Sequence, residues 1–465
     1  MARKSGEERF DFVIVGAGAA GEAAAHLALE RGATVAVIER ELFGGSCAYW
    51  ACIPSKALLH AAAIHVAGGD FSWERAAAFR DWNINRTDGE WPDDSGHVRD
   101  IEAKGGVAIR GVGRLDGHGR VEVRETTGAT RSLAARHIIL AVGSRSKVPP
   151  IPGLPDVPYW TNREATSTRV LPKSLLIMGG GPTGVELAQV YSRFGVRTTI
   201  VDSNPRLLAR DHPRNSAAIE EALRADGATV ITGVRAQRAR AGGGAGGAHL
   251  FELSDGSSVE GHAVLLAICR AYPLDELGLE TVGIDSGNGQ RPQPDATLQI
   301  ASELYLVGDP AGPEMHTHLA HYEGELAARI ALGDDVVPDF RAIPRATYTD
   351  PETSSVGLTV EQAVEQDFDA IERTADIGQS AKGYVSQSNG HVTLVVDRAR
   401  GTLLGCFMAG PAVSEAIHAA VLAIKLQVPL HVLADTLHAF PTASRVMGTL
   451  FIELARELAP PEAQL

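Results

Sequence analysis

The sequence predicts an α/β protein containing two Rossmann-like dinucleotide-binding domains, and three observations lead there. A glycine-rich loop set between an apolar strand and a helix occurs twice, starting at Gly16 and at Gly179. Each copy closes on a second strand that ends in an acid, Glu39 in the first and Asp202 in the second. The 465 residues, 44% hydrophobic and 22% charged, suit a globular chain of about two to four domains. A net charge of −14 argues against nucleic acid and against an anionic membrane surface as partners. No apolar run approaches the roughly twenty residues of a membrane span. The charged stretch Met1 to Arg9 leads straight into a strand with no secretory apolar segment, and four cysteines suit a reducing cytosol. A cytoplasmic protein is expected.

Phe10 to Val15 reads as a mostly buried parallel strand. Gly16-Ala17-Gly18-Ala19-Ala20-Gly21 follows, then a helix from Glu22 to Glu30 and a strand from Thr34 to Ile38. Glu39 stands eighteen residues after the last loop glycine. Gly16, Gly18 and Gly21 allow a tight turn and close backbone approach to a pyrophosphate, whose charge the helix N-terminus favours. Glu39 has the chemistry to accept from ribose hydroxyls. The second copy runs through the strand Ser174 to Met178, the loop Gly179-Gly180-Gly181-Pro182-Thr183-Gly184, a helix Val185 to Phe194 and a strand Thr198 to Val201. Gly179, Gly181, Gly184 and Asp202 repeat the pattern. A flavin in the first site and a nicotinamide in the second is the economical explanation. Asp202 at the strand end repels a 2′-phosphate and favours NADH over NADPH. Arg197, Arg206 and Arg210 lie close in sequence and offer the opposing phosphate contacts.

After the first fingerprint comes Gly44-Gly45-Ser46-Cys47-Ala48-Tyr49-Trp50-Ala51-Cys52-Ile53-Pro54-Ser55-Lys56. Helix positions five apart point about 140° away from each other, whereas a disulfide needs its Cβ atoms about 4 Å apart. Cys47 and Cys52 therefore join only if the helix begins irregularly between them. Gly44 and Gly45 supply the freedom for that entry, and Pro54 suits a first helical turn. A thiol at a helix N-terminus has a lowered pKa and so yields the nucleophile of disulfide exchange. The expectation is a redox-active disulfide laid against a flavin. The alternative is two buried, reduced, structural cysteines.

Taken together and in this order, these motifs resemble the class I pyridine nucleotide–disulfide oxidoreductases, a family that includes dihydrolipoamide dehydrogenase, glutathione reductase and mercuric reductase. Ala141-Val142-Gly143-Ser144 with Ile151-Pro152-Gly153 resembles its crossover between nucleotide domains. Leu304-Tyr305-Leu306-Val307-Gly308-Asp309 resembles its second FAD motif, and Leu319-Ala320-His321 the helix start that follows. Thr349-Asp350-Pro351-Glu352 with Ser355-Val356-Gly357-Leu358-Thr359 resembles the opening of its interface domain. The resemblance implies an FAD domain over residues 1–150, an NAD(P)H domain over 151–275, a second FAD segment over 276–340 and a C-terminal α+β dimerisation domain over 341–465. It implies a homodimer, FAD as resident cofactor and no metal. Cys52 is then the thiolate nearer the flavin and Cys47 the exchange thiol. Lys56 and Glu186 match an ion pair beside flavin N5, where a lysine stabilises negative charge on the reduced ring. Gly45, Ser46, Gly143 and Asp309 fall among the flavin contacts and Arg270 among the cofactor contacts. Without the motif context, Lys56 and Glu186 read as solvated helix faces.

The chain departs from the family pattern twice. Ala267-Ile268-Cys269-Arg270 stands where the family has Ala-Thr-Gly-Arg, and Cys269, like Cys406, reads as a packing residue. The family's C-terminal His-x-His-Pro-Thr-x-x-Glu becomes His438-Ala439-Phe440-Pro441-Thr442-Ala443-Ser444-Arg445. Phe440 occupies the place of the acid–base and Arg445 that of its carboxylate. Loss of one general base typically removes about 10² to 10⁴ in rate. His438, two residues earlier, lies about 7 Å away along an extended chain and is a candidate replacement working through water. Trp73, Trp82 and Trp91 read as packing residues, Asp93 to His97 as a loop or helix cap, and Ala241 to Gly247 as a hairpin tip. The function expected is an FAD-dependent NAD(P)H oxidoreductase passing hydride through flavin N5 to a Cys47–Cys52 disulfide. From there electrons go to a small acceptor that is a disulfide, a metal or quinone-like. The rivals are a dihydrolipoamide dehydrogenase using His438 or water, and a mercuric-reductase-like enzyme, against which the lack of a cysteine after Cys406 counts. A non-enzymatic flavin-containing binding or assembly subunit is the third.

Overall fold

The computed structural model describes residues 7–86, 91–243, 247–285 and 291–459. They fall into two compact units. The first draws on Met1–Pro54, Ala78–Lys147 and Cys269–Asp339. Its sheet grows from the strand Glu8–Val15, whose last four residues are buried, as an apolar run covered on both faces requires. Val13 pairs in parallel with Ala36 of Val35–Glu39 on one side and with Ile138 of Thr130–Leu140 on the other. The strand Val107–Leu115 continues the parallel order beside Val35–Glu39, then turns to pair antiparallel with Arg120–Glu125. Thr130–Leu140 also carries Leu304–Leu306 in parallel. The alanine-rich helix Ala19–Glu30 lies against Thr317–Ala331 closely enough that a Cβ at Gly324 would sit 2.0 Å from the Ala20 carbonyl oxygen. That helix starts two residues before Leu319, and His321 is on its exposed face.

The second unit draws on Ser55–Ala77, Val148–Ile268 and Phe340–Leu465. A four-stranded parallel sheet orders Ala263–Leu266, Ser174–Met178, Arg197–Val201 and Thr229–Ile231. A three-stranded antiparallel sheet follows, and its hairpin joins Ala236–Arg240 to His249–Leu253. Part of the expected glycine-rich tip, residues 244–246, lies outside the described residues, as do 1–6 and 460–465. A five-stranded antiparallel sheet builds the C-terminal part around His391–Asp397 and Thr402–Gly410. The helix Ala443–Leu458 covers it with Val446, Met447, Leu450, Phe451 and Leu454, spaced for one helical face. Cys406 is fully buried with its sulfur 3.9 Å from that of Met447, and burial pushes its thiol up. The observed architecture is thus the α/β class with two Rossmann-type sheets and a C-terminal α+β domain.

Two packing expectations fail. Trp73 is buried and Trp91 meets Trp50 edge-on, but Trp82 is 53% exposed. Cys269 is exposed, because it lies just past the end of the sheet strand Ala263–Leu266 instead of inside it. Among the described residues no helix is long and apolar enough to cross a membrane.

Candidate active site

Each nucleotide loop is shaped by its own backbone. A Cβ at Gly16 (φ +105°) would lie 2.3 Å from the Ala141 carbonyl oxygen, and one at Gly179 (φ +111°) 2.4 Å from that of Ala267. The last glycines are equally forced: a Cβ at Gly21 or at Gly184 would come within 1.9 Å of the carbonyl oxygen of Gly16 or Gly179. The middle glycines differ. A Cβ at Gly181 meets nothing within 4 Å, and one at Gly18 meets only the Gly45 Cα at 3.9 Å. Nothing among the described residues demands glycine there, so the space suits a group from outside. Both residues are extended N-caps with no side-chain cap, leaving first-turn N–H groups for an anion. The two cradles therefore fit the pyrophosphates of two dinucleotides. Glu39 accepts from the Ala17 and Glu41 amides at 2.9 and 2.7 Å, and Asp202 from the Gly180 and Asn204 amides. A carboxylate has further lone pairs for a ribose.

The cysteine stretch breaks where the pairing geometry needs a break. Gly45–Tyr49 forms one short helix, Trp50 leaves helical geometry at φ −129°, and Cys52 opens the helix Cys52–Val66. Both cysteines are thiols in the structure. The Thr317 hydroxyl lies 3.3 Å from the Cys52 sulfur. The expected lowering of the Cys47 pKa does not hold. Its bond to Cys52 and then burial push the Cys47 thiol up, only partly opposed by Thr317.

Gly44 (φ +98°) lies over His97, and a Cβ there would be 2.7 Å from Nε2. His97 Nδ1 meets Glu22 Oε1 at 2.8 Å, and that carboxylate holds the imidazole above its usual range. Asp94 is the residue before the helix Ser95–Ala103 but makes no side-chain cap, because its carboxylate receives the Phe43 amide and Arg110. Ser46 lies within the short helix Gly45–Tyr49. Gly143 (φ +60°) precedes Ser144, whose hydroxyl bonds Asp309 and receives Arg270 Nε at 2.6 Å. Arg270 also pairs with Asp309 at 3.6 Å. Just beyond Asp309, Glu314 Oε2 meets His316 Nε2 at 2.8 Å.

In the second unit, Lys56 Nζ lies 3.0 and 2.8 Å from the two oxygens of Glu186 and 4.7 Å from the Tyr348 ring centroid. Glu186 is 4% exposed and accepts the Tyr348 amide at 3.0 Å, so neither residue is a solvated helix face. Tyr348, Ser144, Thr317, His316 and His97 were not legible as site residues. The sequence signal for His316 is the polar run Glu314-Met315-His316-Thr317-His318. His438 packs its ring on Gly448, where a Cβ would lie 2.3 Å from Cδ2, and its Nε2 is buried with no hydrogen-bond partner among the described residues. Burial, then Arg445, pulls its pKa below the ordinary range. Phe440 is 73% exposed and precedes a cis proline.

Residues 10–324 match the family model for pyridine nucleotide-disulphide oxidoreductases, and residues 343–451 match the dimerisation domain of that family. The chain is 31% identical over 455 residues to dihydrolipoyl dehydrogenase of Chlorobaculum tepidum, covering 94% of this chain and 96% of that protein. It is also 31% identical over 455 residues to mercuric reductase of Streptomyces lividans, covering 94% of each. Among solved structures, LpdA from Mycobacterium tuberculosis aligns with a TM-score of 0.86 at 25% identity over 97% of this chain and 100% of that one. The Cu(II) complex of an HOCl-induced flavoprotein disulfide reductase from Escherichia coli shares the fold, with a TM-score of 0.85 at 24% identity over 96% and 99% of the two chains.

Proposed function

The chain belongs to the pyridine nucleotide-disulphide oxidoreductase family and is an FAD-dependent NAD(P)H oxidoreductase; from that premise we propose that it reduces a small disulfide with electrons from NADH through Cys47 and Cys52. The observation that carries this reading is the cysteine turn, where Cys47 lies in the short helix Gly45–Tyr49 and Cys52 opens the next helix with its sulfur 3.3 Å from the Thr317 hydroxyl. FAD, when bound, supplies a centre that takes hydride and passes two electrons to sulfur. Gly16, Gly18, Gly21 and the first amides of Ala19–Glu30 bind its pyrophosphate, with Glu39, Gly45, Ser46, Gly143 and Asp309 as further flavin-side residues. Gly179, Gly181, Gly184 and Asp202 hold the nicotinamide dinucleotide, and Arg270 bears on the cofactor through Ser144 and Asp309. Lys56, its ammonium fixed by Glu186, stabilises negative charge on the reduced ring.

NADH is favoured because two of the three competing arginines are placed for other work. Arg197 begins the strand that Asp202 follows, about 15 Å away by strand rise. Arg206 is spent on the carbonyls of Leu208 and Ala209, at 3.2 and 2.9 Å. The dimerisation domain supports a homodimer, and Leu437, Phe440 and Leu426, at 97%, 73% and 69% exposed, are apolar surface suited to a second copy. The four-cysteine usage keeps the cytoplasm as the proposed compartment.

The test is anaerobic titration with NADH and, separately, NADPH, followed by alkylation and mass mapping. One equivalent of NADH is expected to expose two thiols, at Cys47 and Cys52, with NADPH reacting more slowly. A bleached flavin with no new alkylation at either cysteine sinks the dithiol route.

A further inference from the structure

An ammonium steadies a developing charge only where something fixes its position beforehand. Lys56 carries its charge on a flexible four-carbon stem, and its side chain is 36% exposed. Glu186 takes the ammonium with both carboxylate oxygens, at 3.0 and 2.8 Å, and the Ser55 hydroxyl accepts from it at 3.3 Å. The same ammonium lies over the ring of Tyr348, 4.7 Å from its centroid. That is inside the roughly 6 Å over which an aromatic face attracts a cation. Tyr348 also reaches the other member of the pair, because its amide donates to Glu186 Oε1 at 3.0 Å. One residue thus meets the ammonium with its side chain and the carboxylate with its main chain.

The segment that carries Tyr348 is itself held in place. Tyr348 follows the strand Arg345–Thr347, which pairs antiparallel with Glu352–Gly357. Two residues on, the Asp350 amide donates to Gln189 Oε1 at 2.7 Å, and the Asp350 carbonyl accepts from Gln189 Nε2 at 2.8 Å. Gln189 is fully buried, and Arg193 adds an ion pair to the Asp350 carboxylate at 3.1 Å. Glu186, Gln189 and Arg193 belong to one helix, Pro182–Arg193, at spacings of three and four that share a face. Tyr348 and Asp350 are therefore laced along the helix that bears the Lys56 partner.

We propose that Tyr348 is the positioning residue for Lys56, its ring holding the ammonium charged and in place while its amide sets the Glu186 carboxylate that receives it. The inference rests on the reading of Lys56 as the cation that stabilises negative charge on the reduced flavin, and it adds the residue that aims that cation. A ring face attracts an ammonium through its quadrupole and has no such attraction for a neutral amine. It brings no net charge of its own, so it fixes Lys56 without adding a negative field where negative charge is to develop. The face carries the effect and the hydroxyl does not, so Tyr348→Phe and Tyr348→Leu must differ.

The experiment compares the parent holoenzyme with Tyr348→Phe and Tyr348→Leu, each with and without Lys56→Met. All carry Cys47→Ser, which leaves no disulfide to draw electrons from the flavin. Two quantities are read: the flavin reduction potential, by equilibration with a reference dye, and the rate at which acetic anhydride modifies Lys56, by mass mapping. Tyr348→Leu is expected to lower the equilibrium constant for flavin reduction about two- to fivefold, a fall of about 10–20 mV. Lys56 is expected to acylate about two- to fivefold faster in that variant. Tyr348→Phe is expected to match the parent in both. In the Lys56→Met background, Tyr348→Leu is expected to move the potential no further. The proposal is overturned if Phe and Leu behave alike, if Leu shifts the potential equally without Lys56, or if Leu leaves the acylation rate unchanged. A Lys56→Met potential equal to that of the parent counts against the flavin-facing reading of Lys56 alone, and the acylation rates then decide for or against Tyr348.

Discussion

The two nucleotide loops are built alike up to one point, and the point of divergence separates a redox half from a binding half. In both, the acid after the second strand grips the second residue of the loop: Glu39 takes the Ala17 amide and Asp202 the Gly180 amide. In both, the chain then doubles back and donates to that same residue, Gly44 to the Ala17 oxygen and Leu208 to the Gly180 oxygen, each at 2.8 Å. Both returning residues are left-handed, Gly44 at φ +98° and Leu208 at φ +46°. Here the halves part. The first continues into Gly45, whose Cβ would lie 2.6 Å from the Gly18 Cα, and from there into the cysteine turn. The second fills the equivalent place with Leu207 and Leu208, 0% and 6% exposed. A glycine pair lets a reactive segment press against the cradle, while a leucine pair seals it.

The hardest break of this contrast removes what only the first half carries. Cys47→Ser leaves an alcohol that is far weaker as a nucleophile. Lipoamide turnover is expected to fall by on the order of 10³ or more, while NADH still bleaches the flavin at the wild-type rate. A parallel loss of bleaching would mean that the cysteine turn also supports the cradle, and the division into redox and binding halves would fail.

A matched pair sharpens the likeness. Gly21→Ala and Gly184→Ala place the same methyl 1.9 Å from a carbonyl oxygen, so both should cost about 1–3 kcal/mol by overpacking. The phenotypes should diverge. Gly21→Ala is expected to purify pale, with FAD affinity down about ten- to a hundredfold. Gly184→Ala should stay yellow but need about ten- to a hundredfold more NADH for half-maximal bleaching. Fluorescence titration of FAD into apoprotein and stopped-flow absorbance read the two. Loss of FAD from Gly184→Ala would show that the loops are not independent.

The pattern that both loops share was legible because it is local. Apolar runs such as Ser174–Met178 are buried along their whole length, and the glycines announce the turns. Helix starts moved by three residues where loop residues already adopt helical geometry, at Ala19 and at Pro182, and other ends shifted by one or two residues, as at Glu8, Val35, Glu39, Arg193 and Arg197. What escaped is non-local or depends on where a strand stops. Thr317 and Cys52 are 265 positions apart, and no sequence period joins them. Lys56 and Glu186, 130 apart, were paired only through resemblance to a family. Cys269 reads as buried until the strand before it is seen to end at Leu266.

The smallest effect tests whether pH acts on one half alone. In the first unit Glu323 is fully buried, donates nothing when ionised, and accepts the Gly308 amide at 2.7 Å through Oε2, with Oε1 unpartnered. Burial, only partly offset by that amide, raises its pKa to about 7 from 4.5. Because the folded value lies above the unfolded one, the folded chain binds the extra proton between these limits. The stability this provides is complete below pH 4.5 and is lost as pH rises through about 7. Between pH 6 and 8 the loss amounts to about 1 kcal/mol, a fall of roughly 1 °C in melting temperature for a chain of this length. Glu323→Gln keeps an acceptor for Gly308 without the titration. Its melting temperature is expected to hold steady from pH 6 to 8 relative to wild type, and its FAD retention at pH 8 to exceed that of the parent. If wild type and variant run parallel across that range, the carboxyl is not titrating there, and the pH dependence must be sought outside the Gly308 turn.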